Sequence, residues 1–166
     1  VSFDIGVKNL AYCYTNDDCI LEWSVIDISG KDITEISKTC MMKLMEIFND
    51  KTINTVLIEN QPVQKNPKMK SIQMLVYGFF VYQQINTEKE IDRVIFSSAT
   101  NKNKYALKYD IEVPKCSTKY LETKKRAIAC TKLIMEGNAD WCEYFNSHKK
   151  KDDLADSLLQ CYHFLN

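Results

Sequence analysis

Glycine is scarce in this chain, four in 166 residues, so no glycine-rich loop is available to cradle the phosphates of a nucleotide. The two histidines, His148 and His163, both fall near the C-terminus, which leaves little from which to build a Ser/His/Asp or Cys/His nucleophilic centre. His163 reads as a packed helix residue and His148 as a loop histidine ahead of three lysines. There is no uncharged apolar run of about eighteen residues, so no membrane-spanning helix is expected. The basic, apolar, small-residue order of a signal peptide is also missing at the N-terminus. The chain opens at Val1 within a strand-like segment, and a few leading residues are expected to be absent. Seven cysteines, an odd count, contain no C-x-x-C pair, so neither a disulfide framework nor a thiolate zinc site is expected. They fit a reducing compartment and small apolar core positions.

Net charge is lacking too, with 22 basic against 22 acidic residues, but the balance conceals an asymmetry. Residues 1–60 hold five lysines and ten acids, whereas residues 61–151 hold seventeen basic residues and nine acids. The later part is thus strongly positive, as a surface meeting a phosphate backbone would be. An apolar content of 45% in 166 residues suits one domain, 1–166, with one substantial core.

Three short runs rich in Val, Ile, Tyr, Phe and Trp, over 1–6, 10–15 and 19–28, read as an antiparallel meander broken at Gly6 and at Asn16-Asp17-Asp18. A helix follows over 33–48, where Ile36, Cys40, Leu44 and Ile47 recur at helical spacing. Strands over 54–59 and 92–96, separated by a helix, imply a right-handed parallel crossover. The fold class is therefore α/β, with a five-stranded mixed sheet, three antiparallel strands then two parallel ones, flanked by helices. The helix over 68–84, with Lys68 and Gln84 at its ends, is apolar almost all round. Ile72, Leu75, Phe79 and Tyr82 mark one side and Met74, Tyr77 and Val81 the others, so part of it is expected to meet a second subunit. Residues 97–118 show no period and read as a long basic loop. Helices are expected over 121–136, 141–145 and 152–164.

Against this background four acidic residues stand out. Asp4 interrupts the apolar run Val-Ser-Phe-Asp-Ile-Gly, Glu59 ends Thr-Val-Leu-Ile-Glu, and Asp153 and Asp156 stand three apart at the start of the last helix. Asp152 beside them suits a helix N-cap. A buried carboxylate costs several kcal/mol unless something positive meets it. If the strands bearing Asp4 and Glu59 are neighbours and parallel, and the last helix crosses that sheet, four carboxylates converge. Hard oxygen ligands of this kind suit Mg²⁺ or Mn²⁺. Two such ions about 4 Å apart would activate a water and stabilise the leaving oxygen of a phosphodiester.

Phe-Asp-Ile-Gly-Val-Lys-Asn over 3–9, Ile-Glu-Asn-Gln over 58–61 and Lys-Lys-Asp-Asp-Leu-Ala-Asp over 150–156 resemble, in that order and spacing, the RuvC-type Holliday-junction resolvases of the RNase H-like superfamily. Within them the chain is most similar to the poxvirus branch. The resemblance implies an RNase H-like fold and a homodimeric, Mg²⁺-dependent endonuclease, with Mn²⁺ able to substitute. It implies two ions per site and four-way junctions cut by paired symmetric nicks, leaving 5′-phosphate and 3′-hydroxyl ends. Viral concatemers would be resolved in the host cytoplasm, with no membrane involved. By the same resemblance Asp4, Glu59, Asp153 and Asp156 are the metal ligands. A catalytic lysine is supplied by the basic segment, Lys102 before Lys104. DNA backbone would be held by Lys104, Lys115, Lys119, Lys124, Lys125 and Arg126. The two equivalent cuts of a junction suit a two-fold dimer, with the helix over 68–84 as its interface.

Three other readings compete. Asp-x-Gly also opens sugar kinases and actin-like ATPases, but these need two lobes and glycine-rich phosphate loops. A ribonuclease H acting on RNA/DNA hybrids shares the superfamily. A non-catalytic DNA-binding module on the same fold would be expected to have lost some of the carboxylates.

Overall fold

The chain was analysed as a computed structural model, which describes residues 1–64, 66–86 and 90–166. Its order is β1 Ser2–Asp4, β2 Leu10–Asn16, β3 Cys19–Ile26, α1 Ile33–Phe48, β4 Thr55–Glu59, α2 Pro67–Asn86, β5 Arg93–Ser97, α3 Ala99–Ala106, α4 Lys119–Ile134, α5 Ala139–Ser147 and α6 Lys151–Leu165. The strands form one sheet in the order β3-β2-β1-β4-β5. The first three pair antiparallel, and β1–β4 and β4–β5 pair parallel, as the strand spacing predicts.

Local chemistry explains the turns. Asn16 faces Cys19 across β2 and β3, so two residues make the hairpin, and Asp17 takes the left-handed conformation at φ 49° that such a turn demands. Between β1 and β2 the chain doubles back so tightly that a Cβ on Gly6 would stand 2.5 Å from the carbonyl oxygen of Asn9. Asp32 caps α1 by accepting from the Glu35 amide at 2.9 Å, and Glu35 in turn accepts from the Lys31 amide at 2.7 Å.

The two sheet faces carry separate apolar clusters. Phe3, Tyr12, Val56 and Ile58 pack against Ile36, Leu44 and Phe48 of α1 and Ile72, Val76 and Phe80 of α2. On the other face Cys13 and Trp23 pack against α3 to α6, chiefly through Tyr105, Cys130, Phe145, Leu154 and Leu158. Trp23 stacks on Phe145 with ring centroids 5.2 Å apart and donates to the Leu154 carbonyl at 2.9 Å, fixing α6 to β3. All seven cysteines are free thiols, three of them at the surface or half-buried.

Two expectations are corrected. Residues 97–118 are not one loop: Ser98 caps α3 by accepting from Thr100, and α3 turns Tyr105 and Ala106 into the second cluster. With so few apolar positions, eight residues of helix leave no readable period. The core side of α2 is also different. It consists of Ile72, Gln73, Val76, Phe79, Phe80 and Gln83, whereas Tyr82 is 61% exposed and Leu75 lies off the buried stripe. Two glutamines occupy core positions, so a reading from hydrophobicity alone rotates the helix. Among the described residues, no helix is long and apolar enough to cross a membrane.

Candidate active site

Parallel pairing of β1 with β4 sets Phe3 opposite Ile58, which brings the next residues, Asp4 and Glu59, abreast. Because side chains alternate along a strand, Phe3 and Ile58 enter the α1/α2 core and Asp4 and Glu59 face the other way, toward α6. Helix α6 lies across this face. Gln160 donates to the Phe3 carbonyl at 3.2 Å, and Ser2 donates to the Ser157 carbonyl, so strand and helix are joined backbone to side chain just beside the acidic residues. Asp153 and Asp156, three apart on the first turns of α6, project into the same cavity as Asp4 and Glu59.

That cavity, about 430 Å³, is also walled by Gln61, by Lys102 and Asn103 of α3, and by Tyr120, Thr123 and Lys124 of α4. A second cavity of about 440 Å³ lies between Val1, Asn54, Cys161 and Phe164, but Asp17 is the only acid on its wall. Size does not separate the two; chemistry does.

Lys102 stands at the centre. Its ammonium donates to Asp156 Oδ2 at 2.6 Å, and to Asp4 Oδ1 and Glu59 Oε2 at 3.2 Å each. Carboxylates from β1, β4 and α6 thus point at one spot, and a cation occupies it. Burial alone would drive the lysine toward neutrality, but the charges of Asp4, Asp156 and Glu59 outweigh it and hold Lys102 protonated. Burial likewise pushes Asp4 well above the ordinary carboxylate range; Lys102 pulls it down, while a hydrogen bond and repulsion from Glu59 raise it. Burial is the main cause again at Asp153 and Asp156, both raised to about 6, with neighbouring Asp152 adding to the first and Lys102 opposing in the second.

Helix α3 separates the two candidate lysines. On α3 Lys102 is buried, whereas Lys104 is exposed and lies near His163. Asp152 is not the α6 N-cap. That place belongs to Lys150, whose side chain makes no capping bond, and Asp152 instead forms an ion pair with Lys124 of α4. Lys124 is therefore drawn into the site wall rather than left on the surface. Arg126 is also engaged internally, donating to the Ile111 carbonyl at 2.9 Å and to Glu122 at 3.3 Å. Lys115, Lys119 and Lys125 are exposed. His148 Nδ1 donates to the Tyr144 carbonyl, 2.8 Å away, and is not part of the cavity wall. Sequence reasoning missed Gln73, whose Oε1 accepts from the Gln61 amide at 2.7 Å and fixes the chain leaving Glu59. It also missed Tyr120 at the cavity rim. A glutamine amid apolar residues on a helix was the available signal for the first.

The donor set fits a divalent cation. Among the described residues no group of three acidic, histidine or cysteine side chains is spaced to hold an ion as it stands, and the Lys102 nitrogen sits where the oxygens converge. Those oxygens are hard and anionic, and Asp153 Oδ2 is buried without a hydrogen-bond partner. A single ammonium leaves this much carboxylate charge under-compensated.

Comparison with known proteins places the fold and the family. The structure superimposes on the yeast mitochondrial Holliday junction resolvase Ydc2 with a TM-score of 0.67, covering 98% of this chain and 77% of that one at 20% identity. The two proteins thus share a fold. An uncharacterized protein of Acanthamoeba polyphaga mimivirus is 35% identical over 130 residues, 74% of this chain, and the match spans only 31% of the longer mimivirus protein. The model of the Poxvirus A22 protein family matches residues 1–165. The chain therefore belongs to the poxvirus A22 protein family.

Proposed function

We propose that this protein is a metal-dependent, structure-selective endonuclease that resolves four-way DNA junctions by paired symmetric nicks, and that viral concatemers in the host cytoplasm are its substrate. The observation that carries the reading is the convergence of oxygens from Asp4, Glu59 and Asp156 on the single buried Lys102 nitrogen. A structural core has no use for so costly a cluster, since burying charge without full compensation is destabilising. At functional sites that cost is commonly retained.

Asp4, Glu59, Asp153 and Asp156 would hold two Mg²⁺ ions, or Mn²⁺ in their place. Bound there, the ions would supply Lewis-acid activation of water and stabilisation of the leaving oxygen. The chain's own contribution is positional. The β1/β4 register and the α6 crossing fix four carboxylates before substrate arrives, and Lys102 keeps a positive charge in reach of the scissile phosphate. Lys104, Lys115, Lys119 and Lys125, all exposed, would grip the DNA backbone. Lys124 belongs to the site wall, and Arg126 is left out because its guanidinium is already engaged. Two copies related by a two-fold axis would address the two equivalent strands, through the exposed side of α2 that carries Met74, Tyr82 and Ile85.

The test is cleavage of a synthetic immobile four-way junction. In Mg²⁺ the wild type should leave symmetric nicks with 5′-phosphate ends, while linear duplex and RNA/DNA hybrid stay intact. Asp153→Asn should bind the junction without cutting it. If wild type and variant both bind and neither cuts in Mg²⁺ or Mn²⁺, the protein is a binding module. Preferred cutting of the hybrid would make it a ribonuclease H.

A further inference from the structure

Tyr120 is 65% exposed and, among the described residues, is the only aromatic side chain on the wall of the acidic cavity. An aromatic ring so placed loses the benefit of burial. Thr118 caps α4 by accepting from the Leu121 amide, so Tyr120 lies in the ordered first turn of that helix. The Lys124 ammonium sits 4.9 Å from the ring centroid and is itself anchored by Asp152, the residue before Asp153. One side of the ring is thus braced, through an ion pair, against the same helical turn that carries the acidic centre. The rest of the ring is open to solvent.

We propose that Tyr120 is a stacking platform for one unpaired base next to the phosphate held at the acidic cavity. This rests on the nuclease reading above and adds a determinant of its selectivity. Every base offers a π-face, so the platform is indifferent to sequence, and a cation on the far side of the ring strengthens its attachment. Bases of intact duplex are already stacked on each other and cost a few kcal/mol to extract. A base loosened at a crossover costs less. Tyr120 would therefore favour branch points over linear DNA while reading no sequence.

The experiment is an abasic scan. Four-way junctions each carrying one abasic nucleotide around the crossover are bound, in EDTA, to wild type, Tyr120→Ala and Tyr120→Phe. At one position the wild type should lose about tenfold in affinity or more, the contribution of one stacked base. Tyr120→Ala should show the same loss on the intact junction and no further loss with the abasic one, and Tyr120→Phe should behave as wild type. Since Tyr120 is exposed, an unchanged thermal midpoint for each variant checks that the fold is kept. If Tyr120→Ala binds the intact junction as wild type does, or if its loss multiplies with every abasic position, the platform is refuted while the nuclease reading stands. A wild type with no preference for branched over linear DNA overturns both.

Discussion

Lys102 Nζ stands 2.6 Å from Asp156 Oδ2, closer than to either of the other carboxylates that share it, Asp4 and Glu59 at 3.2 Å. A divalent cation held by the same oxygens would have to compete with that ammonium. In metal-free protein, Lys102→Met is expected to lower stability by about 2 kcal/mol near neutral pH, because the buried carboxylates lose their partner. Added Mn²⁺ should then raise the melting temperature of Lys102→Met by more than that of the wild type. Equal shifts in differential scanning fluorimetry would show that lysine and metal do not compete.

Asp153 gives a pH-dependent outcome. Its carboxyl is raised to about 6 from an ordinary 3.8, chiefly by burial, so the folded state binds the proton more tightly than the unfolded state. Stability contributed by this group is therefore fully present below the unfolded value and is lost as pH rises through the folded one. Without metal, Asp153→Asn should stabilise by about 1–2 kcal/mol above pH ~7, a figure discounted for partial exposure, and by nothing near pH ~4. Denaturant midpoints across that range check the sign. The same variant should lose cleavage entirely.

The pair Lys124–Asp152 links α4 to the first turn of α6, whose N-cap side chain makes no bond. A double-mutant cycle with Lys124→Met and Asp152→Asn should give a coupling of about 0.5–1 kcal/mol for this partly exposed pair. Each single variant should lower kcat for junction cutting more than it weakens junction binding, since the pair positions Asp153 rather than the DNA. Additive effects on stability would rule the linkage out.

The proposed dimer has its own test. Met74, Tyr82 and Ile85 are exposed on α2, whereas Phe79 is only 3% exposed within the core. Tyr82→Glu with Ile85→Glu should shift sedimentation toward monomer with the melting temperature nearly unchanged. Phe79→Glu should instead unfold the protein, by burying an unpaired charge. A sedimentation coefficient unaltered by the double substitution places the interface elsewhere.

The parts of the fold that could be read in advance were those with a single dominant period. Alternation over 10–15 and 19–28, and the Ile36-Cys40-Leu44 stripe of α1, survive because one face of each element is uniformly apolar. The convergence of Asp4, Glu59, Asp153 and Asp156 was legible for a related reason: charges inside apolar runs contradict their surroundings, although the parallel pairing of β1 with β4 that joins them had to be assumed and comes from the sheet order. What stayed hidden depended on partners distant in sequence. Nothing near residue 102 says that its neighbours are residues 4, 59 and 156. The short helix α3 has too few apolar positions to declare itself, and Gln73 and Gln83 disguise the inner side of α2. Asp152 looked like a cap because local preference favours it there, and the lysine across the gap on α4 decided otherwise.

Gln160, Ser157 and Trp23 fasten the final helix to strands formed at the opposite end of the polypeptide. During synthesis the ribosome must therefore release α6 before Asp153 and Asp156 can join Asp4 and Glu59. A growing or prematurely ended chain carries only half of the acidic set, and so cannot assemble the candidate site.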